Sequence, residues 1–210
     1  MNQPERFPPV FAPPNVTVRG LGVSRGERVL FADLSFEVQA GGVLLLRGPN
    51  GVGKSTLLMT LAGIVRPDAG EIEGIGREDV HLLTYQSGLK GRLSVSENLQ
   101  FWRDMNGATG TQLDEALERV GIGGLAGLEA GYLSSGQLRR LALARLLVSA
   151  RPVWLLDEPS AALDAAGERL LGALIDAHRG AGGIAIVATH HDLLLAEARG
   201  VETIVLGGPA

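Results

Sequence analysis

The sequence has no cysteine. Disulfides and thiolate metal sites are therefore excluded, and the composition fits a reducing compartment. No run approaches the roughly 18 consecutive apolar residues of a membrane helix. Work at a membrane is therefore expected to go through a partner. The first residues lack the basic start and apolar core of a signal peptide. Positive charge is not in excess: 19 lysines and arginines against 23 acidic residues leave a net charge of −4. With an isoelectric point near 5.6, that balance argues against nucleic acid as a partner. No internal repeat is visible. The 210 residues, 45% of them hydrophobic, suit one domain with a substantial core and room for a small insert.

Against these absences stands one dense motif, Gly48-Pro49-Asn50-Gly51-Val52-Gly53-Lys54-Ser55-Thr56. The apolar run Val43 to Leu46 reads as a buried strand feeding it, and Leu57 to Ala62 reads as the helix that follows. A glycine-rich turn alone means only a tight turn. With this spacing, between strand and helix, it is a phosphate-binding loop. Its glycines let backbone N–H groups face an anion, and the helix N-terminus adds its positive dipole end. Lys54 reaches the β- and γ-phosphates and Ser55 offers its hydroxyl to magnesium. The chain is expected to bind ATP or GTP.

The rest of the pattern is α/β. Residues 1–15, broken by five prolines, read as a flexible arm. Val16 to Val18 alternates as a strand, and Val29 to Val38 holds one or two more. From Ser94 to Val148 the pattern turns helical, which suggests a helical subdomain inserted at about 87–150. Val153 to Leu156, Ile184 to Val187 and Thr203 to Leu206 are further apolar strands, with a helix over Glu168 to Arg179 between the first two. Strands buried on both faces and alternating with helices predict a mainly parallel sheet after a β-rich start. The domain is placed at 16–206, with a tail at 207–210.

Val153 to Leu156 ends in Asp157-Glu158. Such a pair is ordinarily a solvated strand end, but beside a phosphate loop it supplies what NTP hydrolysis needs. Asp157 is assigned to magnesium and Glu158 to the attacking water.

Leu133-Ser134-Ser135-Gly136-Gln137 precedes a helix and lies shortly upstream of Asp157. By itself it is a capped helix start. Together with the phosphate loop and Asp157-Glu158, it resembles the signature sequence of ABC ATPases. Gln86 matches that family's Q-loop glutamine, Ala161 to Asp164 its D-loop, and His190 its switch histidine. The resemblance covers about Val16 to Leu206. It implies a P-loop NTPase fold with an N-terminal antiparallel portion, and ATP with Mg2+ as ligands. It also implies a head-to-tail pair of ATPase domains, here a homodimer. Lys54, Gln86, Glu158 and His190 would serve catalysis in cis, and Ser55, Gln86 and Asp157 would hold magnesium. Ser134 to Gln137 would meet the partner's nucleotide in trans, with Asp164 in the D-loop.

Three positions depart from the family pattern. No aromatic residue stands near Ser24-Arg25, where the family stacks adenine, and Arg25 either stacks on the base or stays solvated. Ser135 replaces a glycine, and Ala161 a common serine. Neither change removes a catalytic group.

Tyr85 to Lys90, Leu93 to Leu99 and Thr189 to Leu193 further resemble the ATP-binding subunits of haem exporters in bacterial cytochrome c maturation. That resemblance implies integral membrane partners, a place on the cytoplasmic face of the inner membrane, and haem handled only indirectly. The alternatives are an ABC ATPase for another cargo and a soluble ATPase of iron–sulfur cluster assembly. The segment from Ser87 to Arg103 is the expected docking surface, with one or two of Leu89, Leu93, Leu99, Phe101 and Trp102 exposed.

Overall fold

A computed structural model describes residues 11–12, 14–84 and 88–207. Among the described residues the strands form two sheets. In the first, β1 (Asn15–Arg25) pairs antiparallel with β2 (Arg28–Gln39) on one side and with β4 (Ala69–Glu73) on the other. The second is parallel, in the order β5 (Val80–Leu83), β6 (Val153–Asp157), β7 (Ile184–Ala188), β3 (Val43–Arg47), β8 (Val201–Val205).

The region expected to hold one or two strands over 29–38 is a single strand. The β1–β2 register shifts between Val18 and Leu21 and again on either side of Val23, and Asp33 sits at φ 53°. Each irregularity turns a side chain to the wrong face, so the period-2 signal lapses although pairing continues. Glu71-Ile72-Glu73 belongs to β4, in which Gly70 takes φ 82°.

The central strands β3, β6 and β7 bury both faces by alternation, while the edge strand β8 is largely exposed. Val43, Leu45, Trp154 and Leu156 point to one apolar cluster, which also takes Leu99, Leu117, Leu141 and Ile175 from the helices α2 (Val95–Asn106), α3 (Leu113–Arg119), α4 (Ser135–Val148) and α5 (Ala165–Gly180). Leu44, Leu46, Val153 and Leu155 point to the other cluster, with Leu57 and Leu58 of α1 (Lys54–Leu61) and Val16, Val18 and Leu21 of β1. Helix α4 is buried nearly all round, as a helix enclosed on several sides must be.

Phe11 departs from the free arm expected over 1–15. Its N–H donates to Ala181 at 3.1 Å, and its ring stands edge-on to His178 at 5.3 Å. This end of the arm is anchored because an aromatic ring and a backbone donor both find partners there.

The docking expectation needs correction. Leu99 is fully buried. Leu89, Leu93, Phe101 and Trp102 are all half-buried. Trp102 lies under the Arg145 guanidinium, 3.5 Å from the ring centroid, and Phe101 lies under Lys90 at 3.7 Å. Cation–π contacts thus cover the aromatic faces expected to be free. The exposed apolar side chains in this half are instead Met105, Leu128 and Tyr132. Ser87 lies outside the described residues.

Candidate functional site

Strand β3 delivers the chain into the 48–53 loop. Gly48, Gly51 and Gly53 have φ values of 133°, 76° and 117°. A Cβ on Gly48 would stand 2.4 Å from the Leu206 carbonyl oxygen, so only glycine fits there. Gly53 caps α1 in the left-handed region, and its Cα is backed by Leu30 and Phe31.

Lys54, 7% exposed, turns back into the loop. Its Nζ donates to the carbonyl oxygens of Gly48 at 2.7 Å and Pro49 at 3.1 Å, and stands 3.1 Å from His190 Nε2. His190 Nε2 is also 2.8 Å from Asn50 Oδ1 and 3.5 Å from Glu158 Oε1. That nitrogen accepts from Lys54 in one tautomer and donates to Asn50 in the other.

The parallel sheet assembles this cluster. Asp157 and Glu158 leave the end of β6, Thr189 and His190 the end of β7, and the phosphate loop the end of β3. In the order β6-β7-β3 these ends are neighbours, with Leu46 and Asp157 both in register with Ala188. Ligands of open parallel sheets bind at such carboxyl ends. A cleft of about 360 Å³ opens there, lined by Asn50, Gly51, Gly53, Lys54, Ser55, Thr56, Asp157 and Glu158, and also by Arg25, Arg28 and Leu30.

Asp157 is 8% exposed, and its carboxylate has no side-chain hydrogen bond or ion pair among the described residues. An almost buried carboxyl group without a cationic partner among the described residues, lining the same cleft as Ser55, suits a hard cation. Among the described residues no cluster of three or more histidine and acidic side chains could hold a metal by itself. Magnesium takes few protein ligands and completes its shell with phosphate and water, and Ser55 and Asp157 are donors of the kind it accepts.

Some expected residues lie elsewhere. Ser134, Ser135, Gly136 and Gln137 form the first turn of α4 and its cap, and none of them lines the cleft. Ser134 Oγ accepts from the Gln137 N–H at 3.2 Å, and Gln137 Oε1 accepts from the Ser134 N–H at 2.8 Å, a reciprocal capping box. Asp164 caps α5. The Gly167 N–H at 2.8 Å, and then Arg140 at 3.2 Å, hold its carboxyl below the usual range. Gln86 lies outside the described residues.

Other residues at the site gave no sequence signal strong enough to single them out. Arg28 pairs opposite Arg25 in the β1–β2 hairpin and lines the cleft with it. Arg47, at the last position of β3, donates to the Thr189 carbonyl and to Asp192. Arg139 reaches the Glu158 backbone from α4. An arginine shortly before a phosphate loop, or just after a capped helix start, was the only available cue, and it is a weak one.

Residues 31–161 match the family described as ABC transporter. The chain is 44% identical over 207 residues to the cytochrome c biogenesis ATP-binding export protein CcmA of Agrobacterium fabrum, covering 92% of this chain and 97% of that one. It is 50% identical over 184 residues to the protein of the same name from Rhodobacter capsulatus, covering 88% and 85%. Among solved structures, it superposes on a putative ABC transporter ATP-binding protein from Pyrococcus furiosus. The TM-score is 0.79 at 25% identity, over 91% of this chain and 97% of that one.

Proposed function

This chain belongs to the ABC transporter family, as one of its ATPase domains, and from that premise we propose that it is the ATP-hydrolysing motor of an export complex serving cytochrome c biogenesis. The export role rests on the names of relatives that align over most of both chains, cytochrome c biogenesis ATP-binding export proteins. The observation that carries the catalytic reading is the convergence of Lys54 and Glu158, both lining the cleft, on the His190 ring.

The proposed reaction follows from that convergence. Triphosphate enters the 48–56 loop, and Lys54 exchanges its bonds to the Gly48 and Pro49 carbonyls for phosphate oxygens. Glu158 orients a water opposite the leaving group and takes its proton as the new P–O bond forms. The bond from the γ-phosphorus to the bridging oxygen breaks, and ADP and phosphate are the products. Lys54 and His190 hold the charge that spreads over the γ-oxygens in the loose transition state. Ser55 and Asp157, with Gln86 from outside the described residues, would hold Mg2+, which when bound neutralises phosphate charge. None of Ser134 to Gln137 lines the chain's own cleft. That placement supports their use on a second copy's nucleotide, with Asp164 beside the shared interface.

No described helix is long and apolar enough to cross a membrane. We place the protein on the cytoplasmic face of the inner membrane, held there by integral membrane subunits. Haem concerns it only through them. The test is to purify tagged Glu158→Gln protein from gently solubilised membranes with Mg-ATP. An ATP-bound dimer with integral membrane proteins is expected; a soluble partner set without any would overturn the export role while leaving the ATPase.

A further inference from the structure

Arg139 is 5% exposed in the second turn of α4, and its guanidinium points at backbone. Nη2 donates to the Glu158 carbonyl oxygen and, at 3.5 Å, to that of Asp157. Nε donates to Ala161 at 3.4 Å, and Nη1 to Thr84 at 3.3 Å. Three of these four acceptors lie in one turn, residues 157–161.

That turn is unusual in itself. Glu158 has φ 44° and, four residues on, Ala162 has φ 66°. Both are left-handed conformations that L side chains with a Cβ adopt only when their surroundings impose them. The Glu158 N–H is fixed from one side by the Ala188 carbonyl at 2.8 Å. Arg139 fixes the same residue from the other side through its carbonyl. Gly136, one helical turn before Arg139, packs so closely that a Cβ there would lie 3.1 Å from the Ala162 carbonyl oxygen. The first turns of α4 are therefore seated on this strained segment.

We infer that Arg139 is a positioning residue for Glu158, holding the backbone of the 157–162 turn in the strained conformation that aims the Glu158 carboxylate into the cleft. The physical requirement is for several donors in a fixed planar fork. Carbonyls that converge on one buried point cannot all reach water, and a guanidinium satisfies several at once, whereas an ammonium is a point donor on a flexible stem. Relaxation of Glu158 toward negative φ would swing its side chain away from His190. Since Arg139 does not itself line the cleft, nucleotide affinity should not depend on it. This inference rests on the reading of Glu158 as the group that orients water.

The test uses the full chain and compares Arg139→Lys, Glu158→Gln and the double variant. Arg139→Lys is expected to lower kcat by roughly 10- to 100-fold, the scale of a small misplacement of a reacting group, with KM for ATP within about twofold. In single-turnover assays with labelled ATP, adding Arg139→Lys to Glu158→Gln should cause no further loss, because both act through one carboxylate. Ala162→Gly, added to Arg139→Lys, should restore part of the lost kcat, since glycine takes φ 66° without the steric penalty. Unchanged kcat in Arg139→Lys, a raised KM alone, or losses that add in the double variant would overturn the inference. So would unfolding of Arg139→Lys both with and without Ala162→Gly, which would make Arg139 a general scaffold residue. If Glu158→Gln itself turned over like the wild type, the reading of Glu158 would fail first, and separably.

Discussion

Arg47 donates to the carbonyl oxygen of Thr189 at 3.1 Å, tying the end of β3 to the residue just before His190. The same guanidinium reaches Asp192 at 2.9 Å, so its two bonds straddle His190. Residues 189–200 contain no helix or strand, and side-chain ties of this kind set their path.

Arg47→Met should therefore loosen His190 without touching the phosphate loop. Asp192 is fully exposed, and that ion pair contributes little. The bond to the carbonyl is the one that counts, at about 1.5 kcal/mol. Turnover should fall by at most about tenfold, with nucleotide affinity retained. Steady-state ATPase assays paired with nucleotide titration would show it, and an unchanged kcat would remove Arg47 from the site.

Lys54→Ala and Glu158→Gln should fail in different ways. Lys54 is the cation nearest the loop carbonyls, and its loss removes charge that binds triphosphate, so ATP affinity should drop steeply. Glu158→Gln keeps every binding group, so ATP should stay bound and hold two copies together. Light scattering with bound-nucleotide analysis separates the two, and a monomeric, ATP-free Glu158→Gln protein would count against both roles.

Asp157→Asn should shift the magnesium requirement. Asp157 is nearly buried and lines the same cleft as Ser55, so replacing its carboxyl group by an amide weakens attraction for a divalent ion. A rise on the order of tenfold in the free Mg2+ needed for half-maximal turnover is expected. Titration of turnover against Mg2+ at saturating ATP measures it directly.

The fold should lose stability in mild acid because of two buried histidines. Burial pushes His81 down to about 3 and His178 down to about 4, each from 6.5, against partial compensation by backbone acceptors. His178 is stacked on Trp154 at 3.9 Å. Both rings are neutral when folded, so between pH 6.5 and about 4 the unfolded chain binds more protons. Their contribution is complete above pH 6.5 and is lost as pH falls, on the order of 3 kcal/mol for His178 once both states are protonated. His178→Phe should flatten the decline of Tm between pH 6.5 and 4. An equally steep decline in that variant would assign the acid sensitivity elsewhere.

The parts of the site that were legible are those where a local rule restricts residue type. The phosphate loop needs glycine at φ values other residues avoid, followed by Lys54 and Ser55, and that pattern is visible in nine consecutive residues. Asp157-Glu158 was legible because an apolar strand ends in two charges. Arg139 and Trp102 were not legible. Arginine on a helix is usually solvated, and an aromatic on a helix beside a docking segment looks available. Only the packing of α4 shows Arg139 turned toward carbonyls and Arg145 laid over Trp102.

The sequence by itself determined the nucleotide chemistry, the α/β class and the order of the motifs, because backbone sterics and hydrophobic periodicity act over a few residues. Tertiary structure alone decided that the ends of β6, β7 and β3 lie side by side, although more than 100 residues of sequence separate β3 from β6. It also decided that Arg47 satisfies a carbonyl 142 residues away and that Arg139 satisfies carbonyls 18 to 55 residues away. Such contacts depend on strand order and on which polar groups burial leaves in need of a donor, and neither is written in any local stretch of the chain.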